Sequence, residues 1–76
     1  MSFDRSKGSV MVEFNYFSTK VRTVADAKRE FKLADHEIDE VFPFDRASLG
    51  IIVTPEAAAR IEKQKPAGFD KVWWKR

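Results

Sequence analysis

The chain has 76 residues, 43% of them apolar, with seven Phe, one Tyr, two Trp and no cysteine. This composition excludes disulfide staples and a thiolate metal site, argues against wholesale disorder, and allows one small domain with a thin core. The formal net charge of +2 is too weak to argue for nucleic acid on its own, but it conceals a segregation: residues 1–33 carry seven Lys/Arg against four Asp/Glu, residues 34–59 one against six, and residues 60–76 six against two.

Residues 1–8 read as a flexible polar leader and residues 9–76 as a single domain. The opening residues lack the apolar core of a secretion signal and no apolar run approaches a membrane span, so a cytoplasmic protein with no membrane partner is expected. From Ser9 the chain alternates. Val10, Val12, Phe14 and Tyr16 fall on one face and Met11, Glu13, Asn15 and Phe17 on the other, the signature of a strand with one buried side. The strand either runs on through Val21 or turns near residues 18–20.

Thr23 and Asp26 have the spacing of a helix-start cap, and Val24, Ala27, Phe31 and Ala34 recur at helical steps, predicting a helix through about Leu33. A second short helix is expected over residues 35–42, with Ile38, Val41 and Phe42 inward and Pro43 as its stop. Residues 44–50 read as a loop into a short central strand at 51–53. Thr54-Pro55-Glu56 predicts a helix over residues 55–65 closed by Pro66, and residues 69–74 read as a last strand. The fold class is α+β: a single-layer sheet of three to four strands with two or three helices on one face, in the order β-α-α-β-α-β.

Residues 27–42 carry the apolar spacing of a helix-turn-helix, but the second helix would present Asp35, Glu37, Asp39 and Glu40 to DNA phosphates, so an αα-hairpin explains the spacing better. If that run is helical, His36 and Glu40 share a face. No further His or Cys completes a metal site, and none is expected. The four acids read either as a solvated face or as a contact surface for a basic partner.

At the C-terminus, Trp73 and Trp74 cannot enter one core together because strand neighbours point to opposite faces. One is expected to be buried. The other, among Lys71, Lys75 and Arg76, is covered by the chain or a dimer mate, anchors a protein interface, or stacks a nucleic-acid base. Lys20, Arg22, Lys28, Arg29 and Lys32 form a second basic patch.

Catalysis finds little support. There is no cysteine nucleophile, His36 stands alone, and the three glycines form no phosphate-binding loop, so neither an enzyme nor a cofactor is expected. The first reading is a small protein-interaction module acting as inhibitor, adaptor or regulatory subunit of a larger protein assembly, of the size that phages and mobile elements encode. Its contact residues would be Lys71, Trp73, Lys75 and Arg76, with Asp35, Glu37, Asp39 and Glu40 as a separate acidic face. The alternative is nucleic-acid binding through Lys20, Arg22, Lys28, Arg29, Lys32 and the C-terminal strand. A third reading is a homodimer in which the acidic middle of one chain meets the basic end of the other.

Overall fold

Alternation sets the first element. In the computed structural model, which describes residue 3 and residues 5–74, strand β1 (Val10–Asn15) buries Val10, Val12 and Phe14 on one side. It ends at Asn15, whose side-chain Oδ1 accepts the backbone N–H groups of Phe17 (2.9 Å) and Ser18 (3.2 Å) and so turns the chain. Tyr16, expected on the buried face, lies past this turn and is exposed.

Helix α1 (Val24–Phe31) starts on a complete capping box. Thr23 Oγ1 accepts the Asp26 N–H and Asp26 Oδ2 accepts the Thr23 N–H, each at 3.2 Å. The helix buries Ala27 and Phe31 and stops at Lys32, which is left-handed (φ 55°). Ala34, placed inward by helical spacing, therefore lies beyond the helix and is exposed.

The second helix expected over residues 35–42 does not form. Asp35–Glu37 make one 3-10 turn, and Ile38–Pro43 are strand β2. With Asp39 bulged out of register, Ile38, Val41 and Pro43 pair opposite the core residues of strand β3 (Ser48–Val53), while Glu40 and Phe42 point to the other side. The spacing of Ile38, Val41 and Phe42 suits a helix or a bulged strand equally, and pairing with β3 decides between them. Residues 27–42 thus hold one helix and one strand, and neither a helix-turn-helix nor an αα-hairpin.

Helix α2 (Pro55–Gln64) follows the predicted signal: Thr54 Oγ1 accepts the Ala57 N–H at 3.3 Å, Pro55 occupies the first position, and the helix ends at Lys65, again left-handed (φ 47°). Strand β4 (Phe69–Trp73) completes the chain order β-α-β-β-α-β. All pairings are antiparallel, in the sheet order β2-β3-β1-β4. β1 and β2 run parallel with β3 between them, and β3 and β4 run parallel with β1 between them. This is the doubly split β-α-β arrangement of ferredoxin-like folds.

Both helices lie on one face, where Ala27, Phe31, Ala57, Ala58 and Ile61 share a single buried cluster with Val10, Val12, Phe14, Leu49, Ile51 and Val53. Phe14 joins three elements: its ring stacks on Phe31 of α1 (centroids 5.2 Å apart) and meets the edge of Phe69 of β4 at 6.1 Å. No helix among the described residues is long and apolar enough to cross a membrane. Of the anticipated leader, residues 1, 2 and 4 lie outside the described residues. Arg5–Lys7 form a 3-10 turn, and the Lys7 ammonium reaches Glu56 at 3.5 Å.

The α2–β4 connection contains two left-handed residues of opposite character. Gly68 (φ 86°) donates no side chain because a Cβ there would sit 2.7 Å from the Thr19 backbone nitrogen, and its carbonyl accepts the Asn15 N–H at 2.7 Å. Lys65 holds a left-handed conformation despite its Cβ. Gly68→Ala is therefore expected to destabilise by about 2 kcal/mol or more, strain and clash adding. Lys65→Gly is expected to stabilise by about 0.5 kcal/mol. Urea unfolding midpoints of the two variants should move in opposite directions.

Candidate interaction surface

The sheet has a second face, which no helix covers. The register lays it out in two rows across the strands: Glu40, Ile52, Met11 and Trp73, then Phe42, Gly50, Glu13 and Lys71. Phe42, Ile52, Met11 and Trp73 give it apolar character, and Phe44 from the β2–β3 loop adds a further ring.

These side chains cover the face in a specific way. Gly50 leaves room for the Phe42 ring, whose Cζ would lie 2.8 Å from a Cβ at that position. Beside it, Glu13 is 9% exposed, which requires its carboxyl oxygens to be hydrogen-bonded. They are: Ser48 Oγ–H donates to Oε2 at 2.9 Å, and the Trp73 indole Nε1–H donates to Oε1 at 3.0 Å. The Lys71 ammonium stands 3.7 Å from the centre of the Trp73 ring, a cation–π distance, and the Phe44 ring centre is 5.9 Å from it. Trp73 is thereby fixed by three contacts and still 43% exposed.

The expectation that one of the two tryptophans is buried is not met: Trp74 is 47% exposed, so both rings of the pair are half open. Lys75 and Arg76 lie outside the described residues. A further aromatic pair sits at the other end of β1, where Phe17 is 78% exposed with its ring edge on Tyr16.

The acidic run is divided rather than gathered. Asp35 Oδ1 accepts from Lys28 Nζ at 2.6 Å, a bond that holds its carboxyl below the usual range. Glu37 accepts both guanidinium nitrogens of Arg60 (2.7 and 2.9 Å) and the Ala34 N–H, and the Arg60 hydrogen bonds lower its pKa to about 2. Asp39 occupies the β2 bulge, and only Glu40 of the four lies on the open face. His36 stays in the 3-10 turn, so the His36–Glu40 helical pairing does not exist. Among the described residues no three His, Asp or Glu side chains are placed to hold a metal ion.

The second basic patch is compensated in part. Lys28 pairs with Asp35, and Arg29 pairs with Asp26 at 2.7 Å. Arg22 donates to the carbonyls of Thr19, Val21 and Tyr16 and lies 4.2 Å from the Tyr16 ring centre. Lys32 ends α1, and Lys20 borders a concavity of about 220 Å³ with Glu30, Phe31 and Pro66, which is smaller than usual small-molecule pockets.

Of the residues on this face or beside it, the sequence singled out Glu40, Lys71 and Trp73 as contact candidates and did not single out Glu13, Phe42, Phe44 or Gly50. Alternation along β1 placed Glu13 on the second face, while its partners Ser48 and Trp73 stand 35 and 60 residues away. No family model, curated protein or solved structure matches this chain.

The Glu37–Arg60 pair ties the start of β2 to α2, and its pH dependence has a defined sign. A carboxyl lowered to about 2 in the fold contributes stability that is complete above its ordinary value of 4.5 and is lost as pH falls toward 2. Because Arg60 is half exposed, solvent screening reduces the contribution to about 1 kcal/mol. Glu37→Gln should unfold at lower urea than the wild type at pH 7, with the gap closing between about pH 4.5 and 2. A gap that stays constant down to pH 2 would refute this role.

Proposed function

We propose that this chain is a small non-enzymatic interaction module that acts in the cytoplasm by binding a larger protein assembly, as an inhibitor, adaptor or regulatory subunit. The observation that carries this reading is Trp73. It is a large aromatic held in place by Glu13, Lys71 and Phe44 yet 43% exposed, on the β4 edge of an open sheet face that also carries Met11, Ile52 and Phe42. A side chain already ordered before binding loses little conformational freedom when a partner covers it, and tryptophan is the residue type most often dominant in protein interfaces.

The edges of the sheet support the face as the contact region. β2 carries the Asp39 bulge and ends in Pro43, and β4 carries an irregularity at Asp70. Both features discourage a foreign strand from adding to the sheet. The nucleic-acid reading is supported less, because Lys28 and Arg29 are paired with carboxylates and Glu40 and Glu13 lie on the aromatic face.

Tagged protein used as bait in a lysate of its source cells, with nuclease and eluted in salt steps, should retain a discrete protein at moderate salt. Trp73→Ala should weaken that binding about 10- to 30-fold, as loss of an aromatic anchor does. Arg29→Glu, on the compensated patch, should leave it within about twofold. Nucleic acid as the sole captured species, or binding indifferent to Trp73→Ala, would refute the reading.

A further inference from the structure

We propose that the open sheet face pairs with the same face of a second copy of this chain, about a two-fold axis parallel to the strands. This rests on the face being the binding surface, and goes further by naming its occupant.

The charges on the face select both the occupant and the axis. Glu40 lies on the β2 edge beside Phe42 and Lys71 on the β4 edge beside Trp73, with Ile52 and Met11 on the two strands between them. When two sheets stack with their strands aligned, the two-fold axis between them runs either across or along the strands. An axis across the strands sets each edge over its own copy, Glu40 against Glu40 and Lys71 against Lys71, which is repulsive. An axis along the strands sets the β2 edge of one copy over the β4 edge of the other, so Glu40 faces Lys71 twice. The level along the strands also agrees. Glu40, Ile52, Met11 and Trp73 share one row, and the Lys71 ammonium leans out of its own row to lie 3.7 Å from the Trp73 ring centre. An axis along the strands preserves level, so the carboxylate of the second copy arrives where that ammonium stands. Sheets packed this way cross at about 30°, within reach of two long side chains.

Single-stranded nucleic acid fits the same face less well. One side of the Trp73 ring is already taken by Lys71, and the face carries two carboxyls, Glu13 and Glu40. The extent of the face sets the strength of pairing. Four strands about 4.8 Å apart and six residues at about 3.4 Å give a footprint of roughly 400 Å² per copy. That is about half of what each partner contributes to a standard interface, so the dimer is a weak one, with a dissociation constant in the micromolar range or above.

Sedimentation velocity of the full chain, from about 5 μM to 1 mM, reads this directly. A concentration-dependent monomer–dimer equilibrium is expected. Glu40→Lys and Lys71→Glu should each weaken it about tenfold or more, and the double variant Glu40→Lys/Lys71→Glu should return within about threefold of the wild type, since exchanging the two signs restores both contacts. Circular dichroism checks that each variant is folded; Glu40→Lys, remote from Glu13, serves as the test if Lys71→Glu is not. A monomer at every concentration overturns self-pairing, as does a dimer indifferent to the single reversals. Binding of a labelled mixed-sequence single-stranded oligonucleotide that competes with dimer formation and vanishes with salt also overturns it, in favour of nucleic acid. Self-pairing can fail while Trp73→Ala still abolishes capture of a foreign protein, so the two readings are separable.

Discussion

Two helices, Val24–Phe31 and Pro55–Gln64, must shield a four-stranded sheet, and between them they can shield only one side of it. Everything else in the structure follows from that limit. On the shielded side α1 contributes Ala27 and Phe31 and α2 contributes Ala57, Ala58 and Ile61 to one buried cluster, in which the Phe14 and Phe31 rings stack. Truncating such a ring typically costs about 3–5 kcal/mol, comparable to the whole stability of many small domains. Among the described residues no helix covers the other side, where Trp73 and Phe44 stay partly exposed.

Glu13 organises that side. A carboxyl buried between apolar neighbours is costly unless its oxygens are hydrogen-bonded, and here one is served from β3 and the other from β4. The demand fixes the position of the Trp73 ring, because only an indole N–H aimed inward satisfies Oε1. Gly50 on the interior strand β3 works in the same direction, leaving room for the ring of Phe42 from the β2 edge. The face is therefore rigid and apolar at once, the combination that association favours, since little ordering remains to be done on contact.

How much of this could be read from sequence depends on whether the cause is local. Thr23 with Asp26, and Thr54 with Pro55, act within one helical turn, and both helix starts fall where those residues place them. The central place of the strand around Ile51 follows from an uninterrupted apolar run. β2 was illegible for the opposite reason. Ile38, Val41 and Phe42 satisfy helical spacing, and only the bulge at Asp39 and the pairing with β3 reveal the strand. The same holds on the open face: Trp73 and Lys71 are conspicuous as residue types, whereas Glu13 acquires its role through contacts to residues 35 and 60 positions away.

The segregation of charge has a physical account of the same kind. The acidic middle of the chain meets its basic flanks inside the fold: Asp35 takes Lys28 from α1, and Glu37 takes Arg60 from α2. The split β-α-β topology makes this natural, since the turn leading into β2 is the segment that both helices approach. Three of the four acids of that run thus stay at the bulge and the helix side, and Glu40 alone comes through to the open face. There it stands at the edge opposite Lys71, so that face has a polarity running across the strands. A surface negative at one edge and positive at the other, with Met11 and Ile52 between and the Glu13 carboxyl engaged by Ser48 and Trp73, is complementary to itself when turned about the strand direction, and that property needs no foreign partner to explain it.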